Sequence, residues 1–300
     1  MTDRPALAGA AGAVVIAFSA ILVRLADVSP STAAVFRCAY ALPLLALLAW
    51  HERSRYGPRE RRDTRLAWIA GFFFAADLTF WHHSIGAVGA GLATVLANVQ
   101  VVLVGLMAWA ALGERPEGRS VAAVPMVLTG VVLISGVIGH GAYGDDPALG
   151  VLYGVLTGIT YAVFLLVLRQ VNRDLRRPAG PLFDATLSGA IFAAIGGVIV
   201  GDFDAVPGLE SQAWLVLLAL SSQVLGWLLI SVSLPRLPAL LTSILLMIQP
   251  ATAMVLGAVL LSESPSAVQV AGVLVVLAGI VVATLGPRPL PAPAGAAARR

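Results

Sequence analysis

A carboxylate and a guanidinium stand inside otherwise uncharged apolar runs of this chain, and each needs a chemical reason. Asp77 lies near the middle of 66–85, and Arg37 lies about two turns into 30–50. An ionisable side chain at that depth in lipid costs at least about 2.5 kcal/mol. A mid-membrane acid is held neutral by its surroundings, or it pairs with an arginine or a substrate ammonium. Proton coupling, amine recognition and a structural hydrogen bond to a neighbouring helix are therefore all open for Asp77. Arg37 snorkels to the outer interface, or pairs with Asp27, or anchors a substrate carboxylate through its planar fork. Trp81 and Ser84 follow Asp77 at helical spacing, so all three share one face.

The remaining polar residues in apolar runs are neutral or weakly basic. Asn98, Gln100, Gln223 and Gln249, the last followed by Pro250, bring hydrogen-bonding amides. Such amides join helices to one another or line a polar path. Pro250 leaves a backbone carbonyl without its helical donor and is a site for a kink. Trp81, Tyr161 and Trp227 are candidates for stacking walls, or for plain packing. His82 and His83 are adjacent and so point about 100° apart on a helix. One of them could relay protons from a cavity, or the pair could sit at the outer interface. There is no His-Glu-x-x-His spacing and only one cysteine, Cys38, so no metal site is expected. No Gly-x-x-x-x-Gly-Lys-Ser/Thr loop occurs, because the chain has no lysine. No cofactor is expected.

The elements that must hold these residues are membrane helices. The 300 residues are 59% apolar and 12% charged, with mean hydropathy +0.91; an ordinary soluble domain is about 25% charged. Windows of about 20 apolar residues mark ten spans: 6–25, 30–50, 66–85, 90–112, 120–138, 148–168, 182–200, 213–233, 238–261 and 266–285. The first continues past Ala-Phe-Ser-Ala at 17–20 and is kept as a helix rather than a cleaved leader. Residues 287–300, rich in Pro and Ala, are expected to be a disordered cytoplasmic tail.

The net charge of +3 carries no nucleic-acid signal, since the arginines follow membrane orientation instead. The even-numbered connections hold Arg53, Arg55, Arg59, Arg61, Arg62 and Arg65, then Arg115 and Arg119, then Arg169, Arg173, Arg176 and Arg177, then Arg236. Arg4 and the tail arginines 288, 299 and 300 fall on the same side. The odd-numbered connections carry Asp27, Asp145, Asp146, Asp202, Asp204, Glu210 and Glu263. Of the arginines only Arg24 and Arg37 lie outside the first set. Both termini are thus expected in the cytoplasm and the chain in the inner (plasma) membrane.

The stretch Leu92–Gly130 recurs at Leu241–Gly279. A shift of 149 positions lays Gln100 on Gln249, Glu114 on Glu263, Pro116 on Pro265 and Gly130 on Gly279 without a gap. Each copy has five spans, so the second enters the membrane inverted, as in many secondary transporters. Gly-Glu-Arg-Pro at 113–116 has become Ser-Glu-Ser-Pro at 262–265, in keeping with a change of side. Not everything is repeated: Asp77 falls opposite Gly226 and Asn98 opposite Met247.

Ten spans in two units, each closing its fourth helix with Glu-x-Pro ahead of a Gly-containing fifth, resemble the EamA family of the drug/metabolite transporter superfamily. The likeness covers about residues 6–285. It implies an all-α membrane protein of ten helices in two inverted five-helix repeats, 1–140 and 147–286. Spans one to four and six to nine would enclose a central cavity, with five and ten outside. It also implies a transporter of amino acids or related small metabolites, with export the expected direction and protons an open second cargo. Lipid would be the only other partner, and the oligomeric state is not determined by the sequence. Arg37, Asp77, Trp81, His82, Asn98, Gln100, Tyr161, Gln223, Trp227 and Gln249 are the residues expected to bind or couple. An intramembrane enzyme acting on a lipid-linked substrate, using Asp77 and the histidines, and a non-transporting membrane protein are the alternatives.

Overall fold

A computed structural model describes residues 4–135, 137, 146–260 and 265–284. The expected positions of Asp145, Glu263 and the tail lie outside the described residues. Every regular element among those described is helical. In chain order these are α1 (Pro5–Ala26), α2 (Pro30–Tyr56), α3 (Arg61–Ala97), α4 (Gln100–Leu112), α5 (Gly118–Ile134), α6 (Pro147–Val171), α7 (Ala179–Val200) and α8 (Leu209–Leu218). A π-helical turn, Ala219–Gly226, joins α8 to α9 (Trp227–Ser233), and a 3₁₀ turn, Leu234–Arg236, follows. The chain then forms α10 (Ala239–Leu246), α11 (Ile248–Leu260) and α12 (Ala267–Thr284).

Eight helical stretches are long and apolar enough to cross a membrane, and Gly118–Ile134 is a shorter apolar helix. The first half of α3 supplies the remaining crossing. In hydrocarbon each helix satisfies its own backbone, and side chains that would be buried in a soluble protein face outward. Leu47, Ile199, Val259 and Leu274 are exposed on the bundle's exterior accordingly. Local chemistry sets the ends: Ser29 accepts from the Thr32 N–H and Asp146 from the Leu149 N–H. Gly113 ends α4 in the left-handed region at φ 69°.

Two inverted copies are visible in the packing. Helix starts repeat at the 149 shift, Pro30 with Ala179 and Gly118 with Ala267. A Cβ built on Gly130 would lie 2.5 Å from Val276 Cγ2, and one on Gly279 would lie 2.8 Å from Val127 Cγ1. Residues 127 and 130 correspond to 276 and 279, so each contact maps onto the other when the copies are exchanged. That reciprocity is the mark of a two-fold interface. The numbering rises along one helix as it falls along the other, so α5 and α12 are antiparallel and the copies inverted. A similar relation recurs where spans one and six are offset by 145 rather than 149: Gly9 abuts Ser233 and Leu245, while Gly154 abuts their counterparts Ser84 and Leu96.

The third and fourth spans are joined by a reversal between Ser84 and Leu96, where the sequence places their connection. Residues Arg61–Ala97 form a single helical element, but not a straight one. A straight helix would separate Asp77 from Asn98 by about 31 Å, yet both line one cavity. Ser84 and Leu96 also both lie against Gly154, so the chain reverses between them. A separate interruption falls at Asn98, φ −73° and ψ −5°, before α4 begins. Its counterpart Met247, φ −67° and ψ −6°, separates α10 from α11 in the same manner. The kink expected at Pro250 is therefore a break centred three residues earlier. Pro250 lacks the N–H that would bond the Leu246 carbonyl, but span four breaks at the equivalent place with Val101 there instead.

The two charge sets close opposite ends. At the arginine-rich end, Glu52 accepts the Ala179 and Gly180 N–H groups at 2.9 and 2.8 Å, and Arg59 pairs with Asp184. Hydrogen bonds from Arg176, with Arg177 adding its own, hold the Asp174 carboxyl at about 2, below the usual carboxylate range. Glu114 of the Glu-x-Pro motif pairs with Arg169 and accepts the Ala239 N–H at 3.2 Å. Arg169 also donates to the Leu234 and Leu237 carbonyls, so that motif ties together the ends of spans four, six, eight and nine. At the acid-rich end, Ser29 bonds the Asp202 carbonyl, and the Asp204 N–H donates to Thr32 Oγ1 at 2.8 Å.

The α5–α12 contact makes a clear prediction. Gly130→Leu forces a side chain against Val276 and the Gly272 backbone and should lower the unfolding temperature of the detergent-solubilised protein, a loss of about 1–3 kcal/mol. Gly118→Ala, whose Cβ meets nothing within 4 Å, should leave it unchanged to within about 1 kcal/mol.

Candidate functional site

Sequence order places the two charged candidates on converging elements. Arg37 sits in the half of α2 nearer the acid-rich end, Asp77 midway along the first limb of α3. Together with residues of spans one, four, six, eight and nine they line a cavity of about 280 Å³. No lining residue comes from α5 or α12. Three larger clefts, about 490, 440 and 350 Å³, lie at the arginine-rich end. Their charges are largely spent on one another, as in Arg59–Asp184 and Arg177–Asp174, so the smaller central cavity is where chemistry is left over.

Arg37 and Asp77 are both buried, each with 9% of its surface exposed. Arg37 Nε donates to Gln223 Oε1 at 3.0 Å, and the guanidinium lies 5.6 Å from the centre of the Phe74 ring. The two charges attract, but among the described residues no direct ion pair joins them. A buried charge without a direct partner is unfavourable. A small ligand carrying both an anionic and a cationic group would relieve both at once.

The amides add to this unsatisfied chemistry. Gln100 is 1% exposed, yet neither its Oε1 nor its Nε2 has a protein partner. Gln249 Nε2 and Trp227 Nε1 are likewise buried without partners. Gln100 opens α4 and Gln249 is the second residue of α11, so both follow the paired helix breaks directly. Gly158 leaves room there: a Cβ on it would stand 3.4 Å from the Ala97 carbonyl and the Gln100 N–H. Asn98 lines the cavity, but its Nδ2 donates to the Thr94 carbonyl at 2.7 Å and so serves the break itself. The Tyr161 hydroxyl is in hydrogen-bonding reach of the Gln249 side chain, and Trp81 forms part of the wall. Toward the arginine-rich end, Phe74, Phe164 and Trp227 meet ring to ring at 4.9–6.0 Å and floor the cavity.

Of the expected residues, Arg37, Asp77, Trp81, Asn98, Gln100, Tyr161, Trp227 and Gln249 are brought together in this one cavity. His82 is not among its lining; its ring packs on Trp81 at 5.1 Å, while His83 bonds the Thr79 carbonyl and faces Tyr153. Gln223 stands behind Arg37 rather than in the wall. Ser84, on the Asp77 face, joins helices by donating to the Gly150 carbonyl at 2.9 Å. Among the described residues no group of three or more His, Cys, Asp or Glu could hold a metal. Thr157, Phe74 and Thr186 were not singled out by sequence, because a threonine or phenylalanine in a membrane span is ordinary composition.

Residues 4–136 and again 148–285 match the EamA-like transporter family. The chain belongs to that family. It is 25% identical over 256 residues, 84% of this chain and 80% of the relative, to the uncharacterized transporter YxxF of Bacillus subtilis (strain 168). A protein of known crystal structure superposes with a TM-score of 0.79, covering 95% of this chain and 99% of its own, at 19% identity. That last likeness is one of fold alone. Within this EamA-like fold the cavity is only partly symmetric: Gln100 and Gln249 are twins, while Asp77 has Gly226 and Asn98 has Met247 as counterparts.

Unpartnered amides in the interior cost stability. Gln100→Leu removes two orphaned polar atoms and should stabilise the unliganded protein by about 1–3 kcal/mol, read as a higher unfolding temperature. The same variant should lose the thermal shift that a ligand produces; a Gln100→Leu protein that is less stable than wild type would overturn this account of the amide.

Proposed function

We propose that the chain is a secondary transporter of a small zwitterionic metabolite, an amino acid or a related compound, which it exports by alternating access between its inverted halves. The observation that carries this reading is the cavity itself: one guanidinium, one carboxylate and several orphaned amide and indole groups, unpaired with each other in a space of about 280 Å³. Arg37 takes the substrate carboxylate through the Nη groups left by its bond to Gln223. Asp77 takes the ammonium or a coupled proton, and a pH gradient separates those two roles. Gln100 and Gln249 complete the polar shell from twin positions in the two copies, and His82 remains a second-rank proton relay beside Trp81.

The cavity is displaced toward the acid-rich end, while the aromatic floor and the Glu114–Arg169 network close the arginine-rich end. With the arginines in the cytoplasm, the site faces outward from the inner membrane and both termini are cytoplasmic. Exchange of the two repeat conformations would open the opposite end around the same residues. No nucleotide loop exists, so ion or substrate gradients supply the driving force.

Flux of radiolabelled amino acids into and out of proteoliposomes, with and without an imposed pH gradient, tests the reading. Wild type should show saturable flux, and Asp77→Asn should reduce it by at least about tenfold, the expected effect of removing a charged partner in a dry site. If only the pH-driven component disappears, Asp77 couples the proton; if both disappear, it binds the ammonium. Flux that persists unchanged in Asp77→Asn would remove that residue from the mechanism.

A further inference from the structure

Behind the cavity wall lies a chain of two hydrogen bonds that ends on a residue with no contact to the cavity. Arg37 Nε donates to Gln223 Oε1 at 3.0 Å, and Gln223 Nε2 donates to Thr186 Oγ1 at 3.0 Å. The three residues come from α2, the π-helical turn Ala219–Gly226 and α7, and Gln223 and Thr186 are 2% and 1% exposed. A guanidinium can only donate, so the end of the Gln223 amide that faces it must be the oxygen. Its NH₂ then points toward Thr186, whose hydroxyl has to accept.

The 149 shift gives this chain a second meaning. Thr186 is the counterpart of Arg37, and Gln223 the counterpart of Phe74, on whose ring the guanidinium lies. Four side chains at two pairs of twin positions therefore meet where the copies face each other. One copy supplies a cation on an aromatic face, and the other supplies a hydroxyl and an amide that aim it. The π-helical turn has no counterpart in the first copy, where residues 70–77 are ordinary α-helix. Such local widening of a helix recurs at functional sites, and here it carries the amide that reaches Arg37.

We propose that Thr186 is a positioning residue for anion recognition: by accepting from Gln223 it locks the amide oxygen onto Arg37 Nε and leaves the Nη pair as the fork for a substrate carboxylate. This rests on the assignment of Arg37 to the carboxylate. Without the hydroxyl the amide is free to turn, its NH₂ group confronts a donor-only guanidinium, and the fork loses its fixed direction. Ammonium recognition, which does not pass through Thr186, is untouched.

The test uses thermal shifts of the full-length protein in detergent with the standard amino acids and, in parallel, their decarboxylated amines, in wild type, Thr186→Val, Thr186→Ser, Gln223→Leu and Arg37→Gln. Thr186→Val should weaken amino-acid binding by about tenfold, the scale of one hydrogen bond to a charged group, and leave the amines unchanged. Thr186→Ser should restore wild-type affinity. Combining Thr186→Val with Gln223→Leu should weaken binding no further than Gln223→Leu alone, since both break one chain. Equal weakening of amino acids and amines in Thr186→Val, or no change in either, overturns the proposal. If Arg37→Gln abolishes the preference for amino acids and Thr186→Val does not, the positioning role alone falls. If Arg37→Gln keeps that preference, or no amino acid shifts wild type, the carboxylate assignment fails and the positioning role with it.

Discussion

In hydrocarbon no water stands ready to complete a peptide hydrogen bond, so an interrupted helix is tolerable only where protein or a polar cavity takes over. The whole molecule follows from that restriction. Its two breaks in span continuity, at Asn98 and Met247, occupy equivalent positions in the two copies, and both open on the central cavity. Each break is followed at once by a glutamine, so the place where backbone regularity fails is also where free amides are gathered. Glycines of α6 let the chain on both sides of the first break approach closely.

Duplication supplies the frame, and divergence supplies the chemistry. Residues that make the two-fold are small or aliphatic: Gly130 with Val276, Gly279 with Val127, Gly9 and Gly154 on their twin partners. Residues that break it are polar. Arg37 stands where the second copy has Thr186, Asp77 where it has Gly226, and Gln223 where the first copy has Phe74. A symmetric cavity would present the same groups from both halves and could not distinguish the two ends of a small polar molecule. The cation and the acid stand in one copy, and the amide and hydroxyl chained to the cation stand in the other, so the cavity is not two-fold symmetric.

The two ends of the bundle are held by different means. At the arginine-rich end a carboxylate of the Glu-x-Pro motif, an arginine of α6 and backbone groups of the α9–α10 turn are bound into one network. Directly above it three aromatic rings pack edge to face. Among the described residues, the acid-rich end has serine and threonine contacts to loop backbone. The cavity is displaced toward that second end.

Much of this was determined by the linear sequence. Membrane residence, the spans, the inverted repeat and the family all follow from hydropathy, arginine placement and matched Gln, Glu, Pro and Gly, because these are properties of residue type and spacing. Most of the cavity residues were also legible, since an acid, a guanidinium or an amide within an apolar run is conspicuous. Only the folded chain decided which of them meet. His82 and Ser84 lie within seven residues of Asp77, yet neither lines the cavity, because the reversal of α3 and its packing on α6 turn them elsewhere. The break at Asn98 had no proline to announce it. Thr186 carried no signal at all: a hydroxyl in a membrane helix is unremarkable until tertiary packing places an amide against it and an arginine behind that amide.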